Sequence, residues 1–323
     1  MKEFVIGVND AGQRLDKFVS KTARNLPQAL LYKYIRLKRI KVNAARAQIS
    51  TRLQEGDRVQ MYVNDEFFPQ KEAPSFEAAP TQLDIVYEDA NILLVNKQPG
   101  LVVHEDEEGS SDTLIGRIQH YLYDRGEYDP EQENTFAPAL CNRIDRNTGG
   151  IVLAAKNAES LRILDEKIRA REIRKSYLCI VHGRMPARSA TLTGYLTKDE
   201  GKRRAFIDDR PGPGRMSIVT RYRVLEEIDG LSLIEVELIT GRTHQIRAHL
   251  ASIGHPLLGD GKYGTNALNR PYGYHYQALW AYRVAFDFTT AAGRLDYLRG
   301  RAFEVKDIPF VRDFHSGAIR RRG

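Results

Sequence analysis

Apolar residues along the chain recur at two spacings, and each spacing predicts one kind of secondary structure. Recurrence every three or four positions predicts amphipathic helices over residues 13–19, 29–37, 113–125, 158–171 and 243–253. Short apolar or alternating runs bounded by turn residues predict strands over residues 40–43, 83–87, 92–97, 151–155, 178–181, 217–225 and 231–239. Both kinds of element therefore occur along the whole chain.

Two polar residues stand where helix caps are expected. Asn157 precedes the predicted helix that begins at Ala158, and Thr243 precedes the helix in which Ile246 and Leu250 share one apolar side. We therefore expect both side chains to accept a backbone N–H of the first helical turn.

A stretch without apolar period divides the chain into two units. Residues 64–82 contain three prolines and scattered acids, which predicts a semi-extended linker acting as a flexible tether. We expect a compact module over residues 1–63 before this linker and a second domain over residues 83–323 after it. A length of 323 residues is consistent with two domains.

The composition excludes several classes of protein. With 42% hydrophobic and 28% charged residues, the chain can bury a large core, and no apolar run is long enough for a membrane span. The start of the chain does not resemble a signal peptide. The only two cysteines, Cys141 and Cys179, form no C-x-x-C pair, so we expect a cytoplasmic protein without zinc or iron–sulfur sites. We also expect a monomer.

The net charge of +7 is concentrated near the start of the chain. Residues 1–63 hold 13 Lys and Arg against 5 Asp and Glu, whereas the remaining residues hold 36 against 37. A basic head on a nearly neutral body indicates a nucleic-acid anchor. Residues 186–216 are rich in Pro, Gly and basic residues, including Lys202-Arg203-Arg204, and are expected to form a long loop or hairpin insert with an RNA-facing tip.

The turn between residues 141 and 150 is the strongest candidate for the chemistry. It places Asp145 between Arg143 and Arg146, and two apolar runs, residues 137–140 and 151–155, flank it. A charged turn that leads into a buried strand can hold a reactive carboxylate. The same pattern also fits a surface turn with solvated charges, and composition alone does not separate the two.

Two further stretches carry recognisable motifs. Lys175-Ser176-Tyr177 opens an apolar strand, where a tyrosine is commonly a core residue. Thr240-Gly241-Arg242-Thr243-His244-Gln245-Ile246-Arg247 opens a predicted helix, with Arg247 next to its apolar side. His244 and His249 lie five residues apart, which is the wrong spacing for one helical face, so we reject a zinc site.

Together these motifs resemble pseudouridine synthases of the large-subunit ribosomal RNA type (RluA/RluC/RluD-like) over residues 83–290. The family's central motif reads roughly H-R-L-D-x-x-T-S-G, and K-x-Y and G-R-T-H-Q-I-R-x-H-L follow it. Asn142 replaces the usual histidine, Gly149 the usual serine, and Trp280 stands where histidine is usual. The resemblance implies an α+β enzyme with a mixed, mainly antiparallel catalytic sheet, flanking helices and a cleft across its middle.

The resemblance also implies a role for each motif residue. Asp145 would be the nucleophile, with Arg247 as its charge partner. Tyr177 would stack on the target base and help to remove its C5 proton, and Ile246 or Leu250 would supply an apolar wall. Arg143 would fill the space that the flipped base leaves. Isomerisation needs no cofactor or metal, and whether Asp145 attacks C1′, adds to C6 or takes the 2′-proton stays open.

The N-terminal stretch resembles the S-four-type RNA-binding module, an α/β unit. Its signatures R-L-D-x-x-[LF] and x-G-x-I-x-V-N-G correspond to residues 14–18 and 38–43. The basic residues expected to contact RNA are Arg14, Lys33, Arg36, Lys38 and Arg39. A solvated basic helix face would explain one of these clusters but not the ordered set.

Three rival functions stay open. The chain could be a catalytically inactive RNA-binding or ribosome-assembly protein, although Asp145, Tyr177 and Arg247 are intact. It could be a synthase that acts on transfer RNA. A methyltransferase with the same head would need a Gly-rich nucleotide loop, and Thr148-Gly149-Gly150 is too short for one.

Overall fold

The computed structural model describes residues 1–69, 75–105, 109–199, 201 and 203–319. Within these residues, two β-sheets organise the chain, one with four strands and one with eleven. Lys202 of the expected insert and the C-terminal Arg320–Arg322, which the sequence predicts to be disordered, lie outside the described residues.

The first sheet forms a small N-terminal module with two helices. Its antiparallel strands run in the order β1-β4-β2-β3. The elements are β1 Lys2–Val5, α1 Leu15–Thr22, α2 Gln28–Arg36, β2 Ile40–Val42, β3 Ala45–Arg46 and β4 Arg58–Met61. Leu15, Phe18 and Val19 are completely buried against this sheet, as their spacing predicts.

The second sheet contains eleven strands in the order β11-β10-β12-β13-β9-β14-β8-β6-β5, with β15 beside β14 and β7 beside β8. The strands are β5 Ile85–Glu88, β6 Ile92–Lys97, β7 Ala139–Leu140, β8 Gly149–Ala155, β9 Ile173–His182, β10 Ser189–Asp199, β11 Arg204–Asp208, β12 Met216–Ile228, β13 Leu231–Leu238, β14 Leu279–Phe286 and β15 Ala302–Glu304. All neighbouring strands are antiparallel except β8 and β14. The prediction of a mixed, mainly antiparallel sheet in an α+β fold is confirmed.

Helices cover both faces of this sheet. They are α3 Leu114–Asp124, α4 Ala158–Arg169, α5 Gln245–Ser252, α6 Asn266–Asn269 and α7 Pro309–His315. Strand β8 is buried along its whole length, and its residues alternate between two cores, with Val152 and Ala154 in one and Ile151 and Leu153 in the other. A strand covered on both faces reads as a continuous apolar run, which is why the sequence identified it.

The structure resolves the expected insert and one helix cap. Strands β10 and β11 of this insert pair with each other, and β10 also pairs with β12, so the insert extends the main sheet as the hairpin alternative predicts. The Asn157 side chain accepts the N–H of Ser160, which confirms the predicted cap.

The predicted linker, residues 64–82, packs against a core near each of its ends. Phe68 is buried in the core of the module, and Phe76 is buried in the core of the large sheet. The module itself contacts the body, since Asp10 accepts hydrogen bonds from Asn134 and Thr135 at 2.7 and 2.5 Å. In the structure the module therefore lies against the body. The sequence predicted only a flexible tether and gave no position for the module. No helix among the described residues has the length and apolarity to cross a membrane.

Candidate active site

A carboxylate and a guanidinium far apart in the sequence meet at the centre of the large sheet. Asp145 lies in the turn that leads into β8, and Arg247 lies in the first turn of α5, which follows β13. Arg247 Nη1 donates to Asp145 Oδ2 at 2.7 Å, across a separation of 102 residues. The structure thus brings together the two residues that the motifs single out.

A second carboxylate holds Arg247 from the other side. Asp260 Oδ2 accepts from Arg247 Nε at 2.7 Å and Oδ1 from Nη2 at 3.0 Å, which is the bidentate geometry of a strong ion pair. Asp260 is 0% exposed and also accepts the backbone N–H groups of Lys262 and Tyr263. Sequence reasoning missed this residue, although a lone acid among glycines in Gly259-Asp260-Gly261 was a visible signal.

The three charges form an unequal set. Two carboxylates share one cation, so Asp145, Arg247 and Asp260 together carry a net charge of −1 when all are ionised. Burial by itself would lower the pKa of Arg247, but the hydrogen bonds and charge of Asp260, and then Asp145, raise it overall. Burial would raise the pKa of Asp260, and Arg247 reverses this shift. Asp260 is saturated with donors, whereas the Asp145 side chain is 25% exposed.

The two oxygens of Asp145 have different surroundings. Oδ2 accepts the hydrogen bond from Arg247, and the imidazole Nε2 of His244 lies 3.7 Å from the same oxygen. Among the hydrogen bonds of the described residues, none is donated to Oδ1. One oxygen is therefore held by Arg247, and the other receives no hydrogen bond from the described residues.

Buried polar groups fix the turn that carries Asp145. Lys97 is 1% exposed, and its ammonium donates to the carbonyl oxygens of Gln98, Leu101 and Arg146 at 2.8–2.9 Å. Burial lowers the pKa of Lys97 to about 7, and the charge of Asp145 opposes this shift. Asn142 Oδ1 accepts the N–H of Leu153, which ties the turn to β8. Lys97 is thus a buried cation that holds three backbone carbonyls around the turn.

Two of the three departures from the family pattern pack against each other. Trp280 in β14 pairs with Gly149 in β8, and a Cβ on Gly149 would lie 2.3 Å from the indole ring. The indole nitrogen donates to Asn96 Oδ1 at 3.1 Å. A glycine at position 149 is therefore required by the tryptophan at position 280. The next residue, Gly150, has φ +114° and approaches the Ala281 backbone too closely for any side chain.

The other predicted site residues take different positions around Asp145. Tyr177 is 5% exposed in β9, in the same apolar core as Ile246 and Leu250. Leu250 is completely buried, so it can only support an apolar wall from behind, whereas Ile246 keeps a small exposed area. Burial, followed by the charge of Asp145, raises the pKa of Tyr177. Arg143 is exposed on the Asp145 turn.

The start of α5 differs from the prediction. Thr243 is not the cap; the residue before the helix is His244, with φ 55° and ψ 17° and no side-chain cap hydrogen bond. The reason is Gln245, whose Oε1 accepts from Thr240 and Arg242 while its Nε2 donates to β12. These bonds close the turn so tightly that His244 adopts a left-handed conformation, which costs about 1–2 kcal/mol for a non-glycine residue.

The five basic residues expected to contact RNA lie on the N-terminal module. Lys33, Arg36, Lys38 and Arg39 are exposed on α2 and the turn that follows it. Arg14 differs, because its guanidinium forms a bidentate pair with Asp16 at 2.9–3.0 Å. Within the described residues no hydrogen bond or ion pair joins any of the five to Asp145.

No group of three His, Cys, Asp or Glu side chains in the described part of the chain is arranged to hold a metal ion. His249, the second histidine of the rejected zinc pair, contacts Thr220 Oγ1 at 3.0 Å through Nδ1. His244 points to Asp145 instead. The two rings therefore have separate partners.

Comparison with known proteins gives a consistent result. A family model described as RNA pseudouridylate synthase matches residues 91–252, which include the Asp145 turn and α5. The RNA pseudouridine synthase YlyB of Bacillus subtilis is 31% identical over 85% of this chain and 86% of its own. Ribosomal large subunit pseudouridine synthase C of Haemophilus ducreyi is 32% identical over 90% of this chain and 89% of its own.

A solved structure shares the fold. Human RNA pseudouridylate synthase domain containing 4 superposes with a TM-score of 0.57 and 20% identity, over 74% of this chain and 94% of its own.

Proposed function

The chain belongs to the RNA pseudouridylate synthase family, and on this basis we propose that it isomerises uridines of large-subunit ribosomal RNA with Asp145 as the nucleophile. The enzyme class, an RNA pseudouridine synthase, follows from the family. The nucleophile and the RNA are our proposals. The assignment of Asp145 as the nucleophile rests on the hydrogen bond that Arg247 donates to its Oδ2 at 2.7 Å.

The reaction requires one bond to break and one to form at the same sugar carbon. The N1–C1′ bond is cleaved, the base turns, C5 bonds to C1′, and the proton lost from C5 is balanced by one gained at N1. Asp145 Oδ1 receives no hydrogen bond from the described residues, and the side chain is 25% exposed, so Oδ1 is the oxygen that would react. Because Asp260 shares the charge of Arg247, Asp145 is held in place without being fully neutralised. Attack at C1′ and addition at C6 are the two nucleophilic routes open to Asp145, whereas removal of the 2′-proton would make it a general base.

The target base must leave its stack to reach Asp145. Extrusion costs a few kcal/mol, and stacking inside the pocket returns about 1–3 kcal/mol per aromatic contact. Arg143 is exposed on the same turn and would enter the vacated space, while Tyr177 would stack on the base. Since its raised pKa keeps the Tyr177 hydroxyl protonated near neutrality, it can accept the C5 proton only by passing its own proton on.

Two observations support ribosomal RNA as the substrate. Relatives that resemble this chain over about nine tenths of its length are ribosomal large subunit pseudouridine synthases by name. The exposed basic residues on α2 and its following turn add a surface suited to RNA phosphates. We further propose that the protein acts in the cytoplasm, where such RNA is assembled.

The nucleophile is tested by Asp145→Asn, which keeps the size and a hydrogen-bond acceptor but removes the negative charge. Tritium release from a large-subunit ribosomal RNA transcript made with 5-tritiated uridine should cease, while RNA binding persists. Asp307→Asn, at an exposed surface carboxylate, should keep the full rate and serves as the control. Measurable turnover by Asp145→Asn would exclude Asp145 as the nucleophile.

The RNA is tested separately. Pseudouridines should be mapped in total RNA from cells with and without this protein. We expect one or a few large-subunit ribosomal positions to be lost. Loss confined to transfer RNA would refute the proposed substrate and leave the proposed nucleophile untouched.

A further inference from the structure

His244 is a polar side chain beside Asp145 that the roles assigned so far do not use. Its Nε2 lies 3.7 Å from Asp145 Oδ2, the oxygen that Arg247 also holds. The residue adopts a left-handed conformation, and strained residues are concentrated at functional sites. The backbone therefore directs the imidazole to the nucleophile where an ordinary helix start would not.

The neighbours of the ring indicate which nitrogen carries the proton. Tyr263 Oη accepts the N–H of Ala205 at 2.7 Å and lies 2.9 Å from His244 Nδ1. The hydroxyl proton then has Nδ1 as its nearest acceptor, so Nδ1 accepts and the proton of the neutral ring sits on Nε2. That proton faces Asp145.

The charge environment keeps the ring neutral. Burial lowers the pKa of His244, and the charges of Arg247 and Lys262 act in the same direction, while those of Asp145 and Asp260 oppose it. A neutral ring is a donor at Nε2 that adds no second cation beside the nucleophile.

We propose that His244 is a positioning residue, which donates its Nε2–H to Asp145 Oδ2 and so leaves Oδ1 as the reacting oxygen. At 3.7 Å the contact is longer than the roughly 3 Å of a hydrogen bond. Such contacts commonly shorten when substrate excludes water from the site. Two donors on one oxygen, from His244 and Arg247, then set the rotation of the carboxylate. This inference rests on the proposed role of Asp145.

Two substitutions separate a donor role from a backbone role. Gln places an amide donor near the position of Nε2, whereas Asn reaches only the position of Nδ1. Asn, however, tolerates the left-handed conformation better than Gln does. If His244 acts as a hydrogen-bond donor, His244→Gln should be the more active variant. If His244 matters only for its backbone conformation, His244→Asn should be the more active variant.

The readouts are single-turnover tritium release at saturating transcript, the Kd for the same transcript, and the melting temperature. We expect His244→Gln within about tenfold of the wild-type rate and His244→Asn about 10²-fold slower, both with Kd within twofold. His244→Asn should melt no lower than His244→Gln. An Asn variant as fast as the Gln variant, or a loss confined to Kd, would overturn the proposal.

A third variant tests the same contact from the other side of the imidazole, with the histidine itself left in place. Tyr263→Phe keeps the ring and removes the hydroxyl that orients His244, so it should slow the chemical step about tenfold and cause no further loss in the His244→Asn background. If the rate losses of Tyr263→Phe and His244→Asn add fully in the double variant, Tyr263 does not act through His244. Turnover by Asp145→Asn would instead refute the proposed function, so the two failures are distinguishable.

Discussion

The Asp145 cluster and the basic surface of the N-terminal module both rely on charge, but in opposite surroundings. In the cluster, Asp145, Arg247 and Asp260 are connected by short hydrogen bonds, and Asp260 has no exposed surface. On the module, Lys33 and Arg36 are exposed to solvent on α2. Buried charges act at fixed distances in a low dielectric, whereas exposed charges are screened by salt.

This difference predicts how each region responds to change. Each buried charge depends on its partners. The effects of substitutions in the cluster on rate and stability should therefore be large, non-additive and insensitive to salt. Exposed charges act nearly independently. The effects of substitutions on the module on RNA affinity should therefore be small, additive and salt-dependent. Four experiments test this contrast, from the largest expected effect to the smallest.

Arg247→Met should have the largest effect, because it leaves Asp260 buried without its cation. Removing one partner of a buried ion pair typically costs about 3–5 kcal/mol of stability. We expect a comparable loss in chemical denaturation and a fall of at least about 10²-fold in single-turnover rate. Adding Asp260→Asn should restore part of the stability but not the rate. A double variant less stable than Arg247→Met alone would contradict the buried-pair explanation.

Gly149→Ser introduces the residue that the family pattern usually has at this position. Its Cβ would overlap the Trp280 ring, so we expect a loss of about 1–3 kcal/mol or more, typical of overpacking. Trp280→His in the same chain should recover most of that stability, measured by thermal unfolding. If the stability losses of Gly149→Ser and Trp280→His simply add in the double variant, Gly149 and Trp280 do not compensate for each other.

Tyr177→Phe tests a buried hydroxyl beside the cluster. The ring and its packing are conserved, so Kd for RNA and stability should change little. If the hydroxyl takes part in removing the C5 proton, the rate should fall about 10²-fold, or about 2.7 kcal/mol of barrier. We expect this fall. A rate within tenfold of wild type would make Tyr177 a core residue only.

Substitutions on the module should have the smallest individual effects. Lys33→Gln and Arg36→Gln should each weaken binding to the transcript modestly at 0.1 M salt, with the single-turnover rate at saturation unchanged. Each lost phosphate contact should reduce the slope of log Kd against log salt by about 0.7, the value for single strands, or somewhat more in a duplex. Lys306→Gln, at an exposed lysine outside the module, serves as the matched control. An unchanged slope in both substitutions would show that this surface does not contact RNA.

The sequence by itself determined the features that depend on neighbours along the chain. Helix α1, strand β8 and the Asn157 cap follow from periodicity and from side chains within a few positions of each other. The motifs around Asp145 and Arg247 identified the family because their residues are contiguous. Local spacing carries this information, so no distant contact was needed to read it.

The tertiary structure decided the features that depend on contacts between distant segments. Asp260, which the sequence did not single out, holds Arg247 from the side opposite Asp145, and Trp280 covers Gly149 from another strand. The left-handed conformation of His244, where a cap at Thr243 was predicted, follows from the bonds of Gln245 to β12. A helix-start pattern reports only local preference, and long-range hydrogen bonds in the folded chain override it.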